Sequence, residues 1–511
     1  MNESTAPALD PRRWRALAFI GLAQLMVVLD GTIVNIALPS AQHDLGISDA
    51  NRQWVVTAYA LAFGGLLLFG GRIADRWGRR RAFIIGLIGF AGASALGGAA
   101  VNTGMLLGAR ALQGAFGAIL APAALSLLTV MFTQPKERAK AFGVYGAISG
   151  GGAAIGLILG GALTEYASWR WTLYVNVIFA IVAVAGAVFE IKEPHGSRNT
   201  NRLDVPGILL AGSGLASLVY GFSKASTDGW SSSTTLGFII ASLVLLSAFV
   251  LVQARTKAPL LPLRVVLDRN RGGAYLTIGI AVVGMFGAFL FLTYYLQVVL
   301  GYSPLKSGLA FLPMVVGMMI GATQVAVRLL PRVPTRALMV PGALIASAAM
   351  LILTQISVGG SYATHVLPAL LMLGFGMGLV FMPAMNLATR GVKPQDAGVA
   401  SAMVSTSQQV GGAIGTSLLS TIANSATANY AHSHAAQVHS KADGVQLGLQ
   451  AMVHGFSVAY WIAGGLLALA ALSAGLLINA RPQTGGPAAG HSGPEGDDKA
   501  TTEDAPPVFA H

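Results

Sequence analysis

The strongest constraint on this chain is a succession of weakly charged apolar runs, each about 20 residues long, that begins near residue 14 and continues almost to the end. A run of that length spans the hydrocarbon of a bilayer when coiled as an α-helix, and in lipid only helices and closed barrels satisfy their own backbones. Continuous rather than alternating hydrophobicity selects the helix. Only 10% of the 511 residues are charged, against roughly a quarter in soluble proteins, so a water-exposed fold would lack the polar surface to cover it. The 64 glycines suit helices whose backbones approach closely within a membrane. With no cysteine, disulfides, thiolate metal sites and cysteine catalysis are excluded.

Read as helices, these runs predict an all-α membrane protein of about fourteen spans. They lie near 14–38, 53–71, 81–101, 104–130, 139–164, 170–190, 204–223, 234–254, 273–300, 304–329, 336–357, 364–386, 397–423 and 455–479. The organisation expected is a cytoplasmic N-terminus (1–13), a six-helix bundle (14–190), a cytoplasmic linker (191–203), two inserted helices (204–254) and a cytoplasmic loop (255–272). A second six-helix bundle (273–480) with an outer loop at 424–454 follows, then a disordered cytoplasmic tail (481–511).

Charge placement sets the orientation. With both termini inside, the Lys and Arg residues fall on the cytoplasmic side except Arg52, Arg170, Lys224, Lys306 and Lys441 outside, and Arg110 within a span. The net charge of +12 therefore marks topology, and no nucleic-acid partner is expected. A weak repeat supports two halves. Pro122 in the fourth span precedes a helix bearing Gly151, Gly152 and Gly156, and Pro383 in the twelfth precedes one bearing Gly411, Gly412 and Gly415. The offset of eight spans equals a six-helix half plus two inserted helices.

Ionisable residues inside the spans are few. Asp30 and Arg110 stand out, and a charge at such depth persists only with a partner or a water-filled cavity. Helix rise places both at similar depth below the outer surface, counting the first helix as leaving the membrane near Pro39. A carboxylate that trades a guanidinium partner for a proton is a proton-coupled switch; the alternative is a permanent structural ion pair. Glu165, near the outer end of the fifth span, is assigned a secondary part in proton handling. Between the second and third spans, Gly71, Asp75, Arg76, Gly78, Arg79 and Arg80 read as a conformational latch, with Asp75 pairing to another helix end. In the fifth span Gly152, Gly156, Gly160 and Gly161 form a smooth stripe against which a helix packs or slides. Candidate walls of a substrate cavity are Asn35, Gln113, Phe286, Phe289, Phe291, Tyr294, Tyr295, Met318, Met382, Met385, Asn386 and Gln408, combining adaptable apolar groups with a few amides. His432, His434 and His439 read as solvated loop histidines, with metal binding or pH sensing as the alternative.

These residues resemble the major facilitator superfamily, and within it the fourteen-span drug:proton antiporters of the EmrB/QacA type. The run from Leu29 through Asp30 to Pro39 resembles the first-helix signature of that group, and Gly71 to Arg80 the superfamily loop motif G-x-L-A-D-R-x-G-R-R with Ile73 in place of leucine. Arg110, Gln113 and Gly114 resemble the fourth-helix R-x-x-Q-G motif, whose arginine is associated with proton transfer. Gly156, Gly160 and Gly161 follow the fifth-helix antiporter motif, except that Leu157 stands where proline is usual. The resemblance implies a monomeric, proton-coupled exporter of drugs, antibiotics or other small organic compounds in a bacterial cytoplasmic membrane. A proton-coupled symporter or facilitator of a small metabolite would share the fold. No phosphate loop or nucleophile elbow occurs, so no enzymatic activity, cofactor or metal is expected.

Overall fold

The computed structural model describes residues 12–49, 51–132, 135–191, 204–256, 259–330, 332–389, 392, 397–437 and 439–480. The N-terminal segment, most of the linker and the C-terminal tail lie outside these residues. Among the described residues the protein is helical throughout, with no strand and no cis peptide bond. Among these residues eleven helices are long and apolar enough to cross a membrane. Isoleucines and leucines exposed to the surroundings, such as Ile88, Ile181, Leu243 and Leu472, mark faces that only lipid would solvate.

The first set comprises α1 (Arg13–Leu45), α2 (Trp54–Trp77), α3 (Arg79–Gly98), α4 (Thr103–Met131), α5 (Pro135–Tyr166) and α6 (Trp171–Glu190). These pack mainly α2 on α4, α3 on α4 and α6, and α1 on α5 and α6. A hairpin follows, α7 (Val205–Asp228) and α8 (Ser233–Arg255). The second set comprises α9 (Arg269–Tyr294), α10 (Pro304–Leu329), α11 (Arg336–Leu353), α12 (Leu367–Thr389), α13 (Ala397–His434) and α14 (Lys441–Leu477). Short polar side chains start many of them: Asn102, Asp204, Ser232, Asp268, Ser303 and Ser440 each accept a bond from a first-turn N–H.

Helix direction defines two ends. Arg13 pairs with Glu137 at 2.7 Å, joining the starts of α1 and α5 at what is called here the proximal end. At the distal end the last turn of α1 meets the start of α6, where Trp169 donates to Asp44 at 2.9 Å and Arg170 at 2.5 Å. The two sets meet through α2 against α13 and α5 against α10, while α7 touches both α2 and α13. One apolar core fills the second set along its length, from Tyr275 and Ile478 to Tyr294, Tyr295 and Phe311, and at the distal end takes in Ile33, Val55, Leu157 and Trp169 of the first set. A second core, from Ala16 to Ile191, draws its buried members from the first set and its flanks. The sets therefore share an interior distally and keep separate interiors proximally.

Two expectations need correction. The first helix does not end near Pro39 but runs to Leu45, closed by Gly46 in a left-handed conformation (φ 62°). Proline removes the N–H that would bond the Asn35 carbonyl, yet the helix continues through it, and Gln297 of the other set donates to the neighbouring Ile36 carbonyl at 3.0 Å. The segment 424–454, expected as an outer loop, is mostly helical, with α13 extending to His434 and α14 starting at Lys441. Tyr430 holds these ends together by stacking on His434 (4.1 Å between centroids) and packing on His454 (4.7 Å).

Candidate functional site

Asp30 and Arg110 meet in the interior of the first helix set. α1 presents the carboxylate and α4 the guanidinium, with Arg110 Nη1 donating to Asp30 Oδ2 at 2.7 Å and both side chains excluded from solvent. α1 continues about 22 Å beyond Asp30, while Arg110 lies only about 10 Å from the start of α4. The two coincide because α1 projects distally past its neighbours, not because both helices end together.

The remaining hydrogen-bonding capacity is supplied by neutral groups. Gln113 Nε2 donates to Asp30 Oδ1 at 2.7 Å, and Asn176 Nδ2 from α6 to the same oxygen at 2.9 Å. Ser94 Oγ on α3 accepts from both amides, at 2.8 and 2.9 Å. Arg110 also donates through Nε to the Val55 carbonyl at 3.1 Å and through Nη1 to Gln113 Oε1 at 2.6 Å, and lies over the Tyr59 ring at 4.5 Å. The carboxylate thus receives three donors, and the guanidinium meets an anion, two further acceptors and a π-face, at a depth where unpartnered polar groups would be costly. The three donors occupy both acceptor sites of Asp30 Oδ1 and one of the two on Oδ2, the oxygen that faces Arg110. Beside Arg110, a narrow cavity walled by Val34, Leu38, Ala41, Leu106, Trp169 and Leu173 leads distally and has room for one water at most.

Asn176, Ser94 and Tyr59 were not anticipated. Each is a single neutral group on an apolar span, and only the rarity of asparagine in such a helix could have signalled it. Gln113, expected on a substrate wall, belongs to this sealed cluster. Asn35 bonds back to the Gly31 carbonyl at 2.9 Å. Glu165 lies apart at the distal surface, where its Oε2 accepts from the Leu305 N–H at 3.0 Å, and does not join the pair.

Other expected wall residues divide. Tyr294 is buried, donates to Gln42 and carries Arg52 over its ring at 4.3 Å, so it closes the distal end between the sets. Tyr295 is buried and donates to the Ser357 carbonyl at 3.0 Å, and Phe291 stacks on Phe456; both belong to the core. Phe289 stacks on Phe311 at 4.7 Å. Phe286, Met318, Met382 and Gln408 are half-buried, and Met385 and Asn386 are exposed. Of the latch residues, the side chains of Asp75 and Arg76 lie outside the described set. Gly71 sits within α2, near Pro122. Gly78 adopts φ 100° where α2 hands over to α3, Arg79 begins α3, and Arg80 donates to the last carbonyls of α6, Ala187 (3.3 Å) and Val188 (2.6 Å).

The glycine stripe of α5 faces α1. A Cβ built on Gly152 would lie 3.1 Å from Leu25, on Gly156 2.0 Å from Thr32 and on Gly160 2.7 Å from Ile33, while Gly161 faces the backbone of Leu305 on α10. The stripe thus lies against the helix that carries Asp30. Gly160→Ala is expected to destabilise the protein by about 1–3 kcal/mol through overpacking, read as a lower unfolding temperature in detergent. Gly92→Ala, at a position with open space around it, should leave that temperature unchanged.

Apolar helices around a sealed ion pair, with two helix sets meeting along long seams, define a membrane transport protein. The chain belongs to the major facilitator superfamily, whose family model matches residues 20–416. It is 51% identical to the puromycin resistance protein pur8 of Streptomyces alboniger, covering 93% of each chain, and 38% identical to the cephamycin export protein CmcT of Amycolatopsis lactamdurans, covering 81% of this chain and 85% of that one. In fold it is similar to a bacterial homolog of the human lysosomal transporter Spinster in an inward-facing, unoccupied conformation, with TM-score 0.64 and 16% identity over 92% of this chain and 99% of that one.

Proposed function

We infer that the chain is a proton-coupled antiporter that exports small organic compounds, antibiotics among them, across a bacterial cytoplasmic membrane. The observation that carries this reading is the sealed cluster of Asp30, Arg110, Gln113, Asn176 and Ser94, a titratable carboxylate with a built-in cation that competes with a proton for it. The names of the relatives, a puromycin resistance protein and a cephamycin export protein, support the substrate class and the direction.

On this reading all of α1–α14 cross the membrane. They form two six-helix bundles flanking the inserted α7 and α8, with both termini and the cation-rich proximal end in the cytoplasm. The distal end then faces outward and is closed by Tyr294, Arg52 and Glu165. Arrival of a proton at Asp30 frees Arg110, α1 shifts along the α5 glycines, and the bundles rock about their seams to change the open side. Phe286, Met382, Asn386 and Gln408 remain the candidate substrate wall, and one chain suffices for the cycle.

Purified protein in vesicles with an imposed pH difference tests this. Each pH unit supplies about 1.4 kcal/mol per proton, enough for roughly tenfold accumulation at one proton per substrate. Puromycin should move uphill against the proton flux and stop when an ionophore collapses the gradient. Accumulation in the same direction as the protons would establish a symporter instead.

A further inference from the structure

The seam between α2 and α13 contains polar groups that the closed structure leaves without partners. Thr57 of α2 and Thr416 of α13 share a hydrogen bond of 2.8 Å across it, both fully buried. One turn further toward the distal end on each helix lie Gln53 and Ser420, and the Asn424 amide then approaches the Asp49 carbonyl at 3.5 Å. Gln53 and Ser420 are wholly buried, as is Ser417 beside Thr416. Yet neither the oxygen nor the nitrogen of the Gln53 amide has a partner, nor has the hydroxyl of Ser417 or Ser420. Helical hydroxyls ordinarily satisfy themselves on the carbonyl four residues back. Thr416 and Thr421 do so, onto Gly412 and Ser417, which makes the two idle serines conspicuous.

A buried amide with every bond unmade is destabilising in the state that buries it, and it is retained where another state uses it. The equivalent seam between α5 and α10 differs in kind. There Gly308 comes so close to the Leu157 carbonyl that a Cβ would lie 2.3 Å from it, a backbone contact, and the unpartnered groups on those two helices are the single hydroxyls of Thr164 and Ser307. What distinguishes the α2–α13 seam is a buried amide unsatisfied at both its oxygen and its nitrogen on one helix, with two unsatisfied hydroxyls on the other.

We propose that Gln53, Ser417 and Ser420 form a hydrogen-bonding strip on the wall of the transport route, unused while the distal end is closed and engaged by the hydroxyl, amide or carbonyl groups of an uncharged part of the substrate when α2 and α13 separate. This deepens the exporter reading and rests on it. The strip supplies two donors from the Gln53 amide, its oxygen as acceptor, and two hydroxyls that act either way. It carries no charge, so it selects polar organic surface rather than cations. Its idle bonds also weaken the closed seam, so substrate groups or water that satisfy them favour the distal-open state.

Because the chain has no cysteine, a single introduced thiol reports on the seam alone. Ser420→Cys in vesicles whose distal face is outward is exposed to a membrane-impermeant thiol reagent, at rest and under an imposed pH gradient, with and without puromycin inside. Asn424→Cys at the mouth serves as the accessibility control. Labelling of Ser420→Cys should rise at least several-fold under the gradient, and Gln53→Leu should raise the KM for puromycin several-fold with a smaller change in maximal rate. The proposal is overturned if the control labels while Ser420→Cys stays unreactive throughout, or if Gln53→Leu leaves KM unchanged in a protein that transports. Should the unsubstituted protein move no puromycin or any other antibiotic, the exporter reading fails; the labelling under the gradient alone still shows whether the seam opens.

Discussion

Replacing Asp30 by asparagine is expected to abolish uphill export while leaving a protein that still binds substrate and exchanges it downhill. Asparagine keeps the shape of the side chain but can neither carry the charge nor exchange a proton. Its geometry is also wrong in a specific way. Asp30 Oδ2 accepts from Arg110, and Oδ1 accepts from Gln113 and Asn176, so an amide placed there turns an N–H toward a donor whichever way it is oriented. Either the Arg110 donor or the Gln113 and Asn176 donors lose their acceptor, and Arg110 is left a buried cation without a counter-ion. The measurement is puromycin movement in vesicles under an imposed pH gradient, beside counterflow with no gradient. Wild-type uphill accumulation by Asp30→Asn would remove this carboxylate from the coupling mechanism.

Much of the fold was legible because lipid simplifies the problem. Where water is absent, a long apolar run has few structural options, and the ranges expected for the helices differ from the observed ones chiefly at their ends. The misreadings fall where that rule lapses. Hydropathy does not see a helix that leaves the bilayer, so the last turns of α1 beyond Pro39 and the polar ends of α13 and α14 read as loop. In the site, Asp30 and Arg110 were visible because charge in lipid is rare. Asn176, Ser94 and Tyr59 were not, because one neutral group or one ring on a membrane helix is ordinary until its partner is known. Gln113 was seen and given the wrong surroundings: its spacing from Arg110 places both on one helix face, but the sequence cannot say what that face meets. The same limit hid the α2–α13 seam. Ser417 and Ser420 are unremarkable on a helix rich in serine and threonine, and become informative only once burial and missing bonds are known together.

The glycine stripe ties packing to coupling. Gly152, Gly156 and Gly160 face Leu25, Thr32 and Ile33, and Asp30 sits on that same stretch of α1. A helix seated against glycines meets few side chains that would interlock with it, which suits one that must shift when its charge changes. Leu157, where the related motif has proline, is fully buried, and its carbonyl faces Gly308. Leucine keeps an N–H that proline would remove, and α5 runs from Pro135 to Tyr166. Here the α5–α10 seam closes by backbone contact, and any flexing of α5 has to come from its glycines.

Removing the cation should do more damage than removing the anion's charge. In Arg110→Ala the Asp30 carboxylate keeps only its two amide donors, the Val55 carbonyl and Gln113 Oε1 each lose a donor, and the Tyr59 ring loses its cation. Breaking one side of a buried pair costs about 3–5 kcal/mol, so this variant is expected to unfold at a much lower temperature in detergent and to export nothing. Loss of activity alone would not separate a coupling role from a structural one. The double variant Asp30→Asn with Arg110→Gln does so, because it neutralises both charges together and leaves groups that can hydrogen-bond to each other. Its unfolding temperature should recover to well above that of Arg110→Ala, since replacing a whole buried pair is often near neutral. Its uphill transport should remain absent, because nothing in the cluster can then take up or release a proton. If stability and gradient-driven transport returned together, the pair would be a structural clamp and the proton would have to be carried elsewhere in the molecule.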